Sequence, residues 1–147
     1  MTRSSSELNA QMIARILDTP AQPVADGGYA LRVVETRGRV TGEPRRTPLG
    51  LTRVGGRHYL VCPDRRRDWV RNLLADAGCA LLAGGERQPE HAVEVNGEEA
   101  AAVVSVYLTA VETPWALRAF PVPPGSSTAE IERHLGVMAV FRLDGGS

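Results

Sequence analysis

Apolar positions along the chain change period several times, and each change marks an element. Leu8, Met12, Ile13, Ile16 and Leu17 share one helical face, and Ser4 with Glu7 has the spacing of a capping box, which together predict a helix that "DTPAQP" stops. From Tyr29 to Thr36 the period drops to two, with the β-branched residues Val33, Val34 and Thr36, and a second strand-like run spans Arg46 to Val54. An arginine-rich turn joins them. The glycine turn "VGGR" at 54–57 leads into a third strand, "HYLVC", so the first three strands form two successive hairpins.

The pattern then alternates short helices with strands. "WVRNLLADA" puts Trp69, Val70, Leu73 and Leu74 on one helical face, with Asp68 placed to cap it. "CALLA" reads as a buried strand, "GGERQPE" as a turn and "HAVEV" as another strand. "EEAAAVVSVYLTAV" predicts a helix with acidic residues in its first turn, and Thr113 with Pro114 suits the cap and first turn of a short "WALRAF" segment. "PVPPGSS" is a loop, Ser127 and Glu130 repeat the capping-box spacing before "TAEIERHL", and "VMAVFRL" closes the chain as a strand. About six strands linked by hairpins predict a mainly β, α+β fold, a small antiparallel barrel rather than a doubly wound parallel sheet. Residues 1–28 form a helix and a Pro/Gly-rich linker, and 29–147 the barrel domain. The helical stripe either acts as a lid over the barrel mouth or packs against the outside of the barrel.

Composition narrows the function. A chain of 147 residues fits one domain able to bury roughly 68–70% of its unfolded surface. It contains no apolar run near the ~18 residues of a membrane span and no apolar signal core, so a cytoplasmic protein is expected. Cys62 and Cys79 fit neither a CxxC pair nor a zinc framework and read as two reduced thiols. Every basic residue among the 17 is arginine, and residues 37–71 hold ten of them against Glu43, Asp64 and Asp68. A neutral chain with one strongly positive segment can gather a local anion without attracting polyanions in general.

No nucleotide-binding glycine fingerprint is present, His58, His91 and His134 are too scattered to nominate a metal site, and nothing pairs a Ser or Cys nucleophile with a base. The arginine segment remains. Guanidinium groups grip phosphate bidentately, and if residues 45 and 46 are extended only one of their side chains can face a given site. A solvated charged face and a nucleic-acid surface are the other readings, the latter disfavoured by the neutral total and the lack of interleaved aromatics.

"GRVTGEPRRTPLGL", then "GGRHYLVCPDRRRDWVRNLLA", and finally "VMAVFRLD" resemble the deazaflavin-dependent nitroreductase family of F420H2-dependent reductases, an ordered likeness over residues 30–143. It implies a split β-barrel of the flavin-reductase and pyridoxamine-phosphate-oxidase type that binds coenzyme F420 and delivers hydride to a small organic acceptor. Carried over by position, Arg39, Thr41, Gly42 and Arg45 match the phosphate-binding turn, and Thr47, Pro48 and Leu49 the strand beneath the deazaflavin ring. Cys62, Pro63, Asp64, Arg65, Arg66 and Arg67 occupy the next cofactor loop, and Trp69 and Asn72 the helix that closes it. Val40 stands where many members have lysine, and "PDRRRD" replaces a longer loop, so FMN is the alternative cofactor. Tyr107, Trp115, Arg118 and Phe120 are expected to line the acceptor pocket, and the proton comes either from solvent or from a tyrosine, with Tyr107 the candidate among Tyr29, Tyr59 and Tyr107. The implied partner is a small molecule (a quinone, nitroaromatic or enone of a secondary metabolite), with a homodimer allowed. A haem-binding relative and a non-catalytic F420 binder are the competing functions.

Overall fold

The computed structural model describes residues 5–145. Helix α1 (Ser5–Asp18) is followed by strands β1 (Tyr29–Arg37), β2 (Pro44–Val54) and β3 (Arg57–Cys62), helix α2 (Asp68–Ala75), and strands β4 (Gly78–Ala83) and β5 (Glu86–Glu94). Helices α3 (Gly97–Ala110), α4 (Pro114–Arg118) and α5 (Thr128–His134), a 3-10 turn at Leu135–Val137 and strand β6 (Ala139–Gly145) complete the chain. The six strands close into an all-antiparallel barrel in the order β1-β2-β3-β6-β5-β4.

Strand side chains alternate between faces, and here much of both faces is buried. Val34, Leu51, Leu60, Leu81, Ala92 and Phe141 fill the barrel, and α2 closes one end of it with Trp69, Val70 and Leu73. Their neighbours Tyr59, Val61 and Val140 point outward beneath α3 and α5. On the opposite flank Val33, Ala80 and Leu82 point outward beneath α1. This double burial is why "YLVC", "CALLA" and "VMAVF" read as continuous apolar runs.

Several expectations need correction. The turn after β4 is only Gly84 and Gly85, both with positive φ, so "ERQPE" belongs to β5 rather than to a turn. A two-residue Gly-Gly hairpin matches strand twist, and Pro89 is tolerated because β5 gains its second neighbour, β6, only from Glu90 onward. The strand predicted to begin at Val137 starts at Ala139 after the 3-10 turn. Ser4, the expected cap of the first helix, lies outside the described residues, whereas Ser127 does cap α5 by accepting the Glu130 N–H at 3.2 Å. The Glu130 carboxylate completes no box and pairs with Arg133 instead.

The N-terminal segment is neither lid nor tether in this structure. Helix α1 lies on the outer face of the barrel, burying Ile16 with Met12, Ile13 and Leu17 packed around it. The following segment is fastened to the barrel. Val24 inserts into the barrel core, Arg32 Nη2 donates to the Gln22 carbonyl at 2.6 Å, Gly27 N–H donates to the Arg53 carbonyl at 2.7 Å, and Gly56 N–H donates to Asp26 Oδ1 at 2.9 Å. These bonds satisfy backbone groups that a free linker would leave to water. Gly84 makes the seam possible: its N–H donates to the Ile16 carbonyl, and a Cβ there would lie 2.6 Å from both Pro20 Cα and the Thr19 carbonyl oxygen.

A polar row crosses the barrel wall where Thr36 pairs with Cys79 and Cys79 with Glu90. Glu90 is 5% exposed; one carboxyl oxygen accepts from Gln88 Nε2 at 2.9 Å and the other is buried without a partner. Burial, and then the charge of Asp144, raises its pKa above the ordinary carboxylate value, while burial and Glu90 push the Cys79 thiol up to about 11.

Two outcomes follow for stability. Gly84→Ala combines a backbone clash with a side chain at positive φ and should lower unfolding free energy by about 2 kcal/mol or more in urea titration. Because the folded-state pKa of Glu90 is raised, its contribution is fully present below the unfolded carboxylate pKa and is lost as pH rises through the folded one. The Glu90→Gln protein should therefore gain stability relative to the unmodified protein as pH rises above the ordinary carboxylate range, measured as the difference between their denaturation midpoints at each pH.

Candidate functional site

The arginine turn and α2 are joined by one side chain. Asn72 is 3% exposed; its Oδ1 accepts from the Arg39 backbone N–H at 3.2 Å and from Arg39 Nη1 at 2.8 Å, and its Nδ2 donates to Thr36 Oγ1 at 3.2 Å. Arg39 Nη2 also reaches Asp68 Oδ1 at 3.0 Å. Asp68 was expected to cap α2, but it is the first helical residue: Arg67 occupies the cap without a side-chain cap bond, and Asp68 turns its carboxylate to Arg39. The turn itself is closed by Gly38 N–H to the Glu43 carbonyl and Gly42 N–H to the Gly38 carbonyl, each at 2.8 Å, with Gly42 at φ 76° where a side chain would be strained.

Strand alternation separates the two adjacent arginines. Arg46 Nε donates to Glu35 Oε2 at 3.0 Å, and Arg87 holds the other oxygen of Glu35 at 2.8 Å; these bonds, that of Arg87 foremost, keep the Glu35 carboxyl below its usual pKa. The side chain of Arg45, on the opposite alternation with Thr47, has neither a hydrogen bond nor an ion pair among the described residues. A cavity of about 690 Å³ lies against the turn, lined among others by Arg39, Thr41, Arg45, Thr47, Trp69 and Asn72, while Gly42 borders a separate cavity of about 710 Å³. The indole N–H of Trp69 is buried and has no acceptor among the described residues. An unpaired guanidinium on the wall of this cavity fits an anionic group such as a phosphate ester.

The other expected residues divide between two places. Pro48 and Leu49 continue β2, with Leu49 packed on the barrel core. Cys62 is fully buried; its thiol donates to the Asp64 carbonyl at 3.1 Å, and burial raises its pKa. Pro63, Asp64, Arg65 and Arg66 border a separate depression of about 620 Å³ with Phe120, Pro121 and Val137. There Arg66 pairs with Asp64 at 3.0 Å, holding its carboxyl down to about 2, and Arg65 is committed to Glu94 at 3.1 Å and to the Met138 carbonyl at 3.0 Å. The 62–67 loop therefore does not deliver all its arginines to the first cavity.

Of the four residues expected to line an acceptor pocket, Tyr107 and Phe120 are in contact, with ring centroids 5.3 Å apart. Trp115 is 65% exposed and Arg118 is also exposed, on a helix α4 that buries no residue. Sequence reasoning named Tyr29 only as one of three available tyrosines and missed Gly50. A Cβ on Gly50 would lie 3.1 Å from the Tyr29 ring and 3.9 Å from that of Tyr107, so the missing side chain lets both phenols approach β2. A lone glycine inside a strand was the available signal.

A closed antiparallel barrel with an anion-fitting cavity at its arginine turn defines a split-barrel cofactor-binding protein. Residues 18–116 match the sequence profile of the F420H(2)-dependent quinone reductase family, and the chain belongs to that family of enzymes. No curated protein matches it by sequence. Among solved structures, a heme binding protein from Mycobacterium smegmatis superposes with TM-score 0.56 at 18% identity, over 99% of this chain and 53% of the other, so this chain spans about half of that neighbour. An F420-H2 dependent reductase (FDR-A) superposes with TM-score 0.51 at 19% identity, over 84% of this chain and 99% of the other. A chain described as a domain-swapped dimer gives TM-score 0.55 at 17% identity, over 95% of each. These distant likenesses establish the shared fold.

Removing the Asn72 amide would leave Thr36 and the Arg39 backbone N–H without their partner in a buried position. Asn72→Ala should cost about 1–3 kcal/mol of stability, read by chemical denaturation, and should loosen the turn as seen in faster amide exchange over residues 38–43.

Proposed function

We propose that this chain is an F420H2-dependent reductase whose acceptor is a small conjugated carbonyl compound, a quinone or an enone. The cavity beside the arginine turn supports this reading, because the family-matched segment lines it with Arg45, whose side chain has no ion pair among the described residues. Bound reduced F420 supplies a hydride and carries an anionic phosphate and glutamate tail. Arg45 would hold the tail phosphate, and Thr41 and Thr47 on the same cavity wall would offer it neutral donors. Arg39 acts differently from the sequence expectation: held by Asn72 and Asp68, it fixes the turn and lends positive potential.

Thr47, Pro48 and Leu49 connect the cavity wall along β2 to Gly50, where Tyr107 and Tyr29 meet the strand. Tyr107 is the proton donor of this proposal. Its hydroxyl hydrogen-bonds to no group among the described residues, and Phe120 packs against its ring. The cytoplasmic setting and a role in tailoring a secondary metabolite belong to the same proposal.

Titration of the protein with F420, FMN and FAD should show tight binding of F420 alone, and F420H2 oxidation should depend on an added quinone or enone. Preference for FMN would sink the cofactor assignment. Arg45→Ala should weaken F420 binding by about 1.5–3 kcal/mol, the scale of hydrogen bonds to charged groups, while leaving the thermal midpoint nearly unchanged because Arg45 has no protein partner. Arg46→Ala, which cuts an ion pair on the outer face, should affect binding much less.

A further inference from the structure

The cavity of about 710 Å³ is walled by residues of β1, β4, β5 and β6 and by Asp76 at the end of α2. Pro44 is the one lining residue it shares with the cavity at the arginine turn, so it lies outside the site already described. Its volume falls in the range of small-molecule sites.

Charges on this wall are almost all matched. Glu35 is held by Arg46 and Arg87, Asp76 by Arg37, and Asp144 by Arg142. Glu90 is the exception. Its side chain is 5% exposed, it lines the cavity, and it has no cation partner among the described residues. The charge that acts on it, Asp144, has the same sign. Its Oε1 accepts from Gln88 Nε2 at 2.9 Å, whereas Oε2 has no donor. Strand register fixes its place: Glu90 is the cross-strand partner of Cys79, Cys79 is the partner of Thr36, and all three line the cavity. A buried carboxyl with one oxygen unsatisfied costs free energy until a donor reaches it.

We propose that this cavity is a second ligand site, which takes a small molecule bearing a primary ammonium group, with Glu90 as its counter-ion. The ammonium brings both the N–H donors and the positive charge that Glu90 lacks. The terminal torsion of a glutamate is soft enough for Oε2 to turn toward it. A metal ion is a poorer fit, since among the described residues no group of three or more His, Cys, Asp or Glu side chains is placed to share one. An anion would meet the Glu90 charge, so the two cavities select ligands of opposite sign. The proposal does not depend on the identity of the cofactor.

Benzylamine and its neutral counterpart benzyl alcohol are the probes that test it. In a nitrogen-15 NMR titration, benzylamine should shift the backbone amides of residues 78–80 and 90–91 and leave those of residues 39–41 at the arginine turn unmoved. It should bind roughly tenfold to a hundredfold more tightly than benzyl alcohol, the range that a charge-assisted hydrogen bond gives. The thermal midpoint should rise with benzylamine concentration, because the ligand binds the folded chain alone. In Glu90→Gln the preference for the amine should vanish, and in Glu90→Asp part of it should remain. Equal affinity for the two probes, or shifts confined to the arginine turn, would overturn the proposal. An amine preference that survives in Glu90→Gln would overturn the role of Glu90. Should Glu90→Gln fail to fold, the comparison of amine with alcohol in the unmodified protein and in Glu90→Asp decides the matter.

Discussion

The buried amide of Asn72 is the constraint on which the site depends. Its oxygen takes two donors from Arg39 and its nitrogen serves Thr36, so one side chain from α2 ties together the end of β1 and the turn that follows. Buried polar groups are costly unless satisfied, and here satisfaction requires the helix, strand and turn to be in register at once. The same helix sends Trp69, Val70 and Leu73 into the barrel. Core packing and site geometry are therefore set by neighbouring buried side chains of one eight-residue helix.

Around that hub the arginines acquire different tasks through their partners. Arg39 is neutralised by Asp68, Arg46 by Glu35, Arg65 by Glu94 and Arg66 by Asp64. Exposed pairs of this kind contribute little to stability, but they cancel charge locally. Among the described residues, Arg45 at the turn, Arg57, Arg67 at the cap of α2 and Arg71 within it have no ion pair. A basic segment that looks uniform in composition thus resolves into paired and unpaired cations, of which Arg45 lies on the wall of the cavity.

The barrel also explains how so small a chain keeps a cavity beside its core. Three separate apolar clusters, one inside and two outside the sheet, stabilise the strands from both faces. Helix α1 and the segment after it belong to this scaffold: they cover an outer face and insert Val24 into the barrel core. Rigidity at the walls leaves the arginine turn free to be specialised for binding.

Much of this was legible in the sequence because it is written in local periodicity. Six strands, their hairpin order, the helices near 69–75, 98–111 and 128–134, and the barrel class follow from alternation, turn glycines and apolar spacing, which act within a few residues. The ordered match from "GRVTGEPRRTPL" to "DWVRNLL" likewise marked the turn and helix that the fold brings together. Adjacent Arg45 and Arg46 could be assigned to opposite faces from strand geometry alone, but which of them is free depended on Glu35 from β1. The extension of β5 through Pro89 depended on where β6 ends, the fastening of 20–28 on Arg32 and Arg53, and the diversion of Asp68 from capping on Arg39. Each of these outcomes is a choice among partners distant in sequence, made by closure of the barrel. Sequence periodicity determined the elements, whereas tertiary structure decided which charges were cancelled and which were left to act, because Coulomb and hydrogen-bond energies depend on distances that only the closed barrel sets.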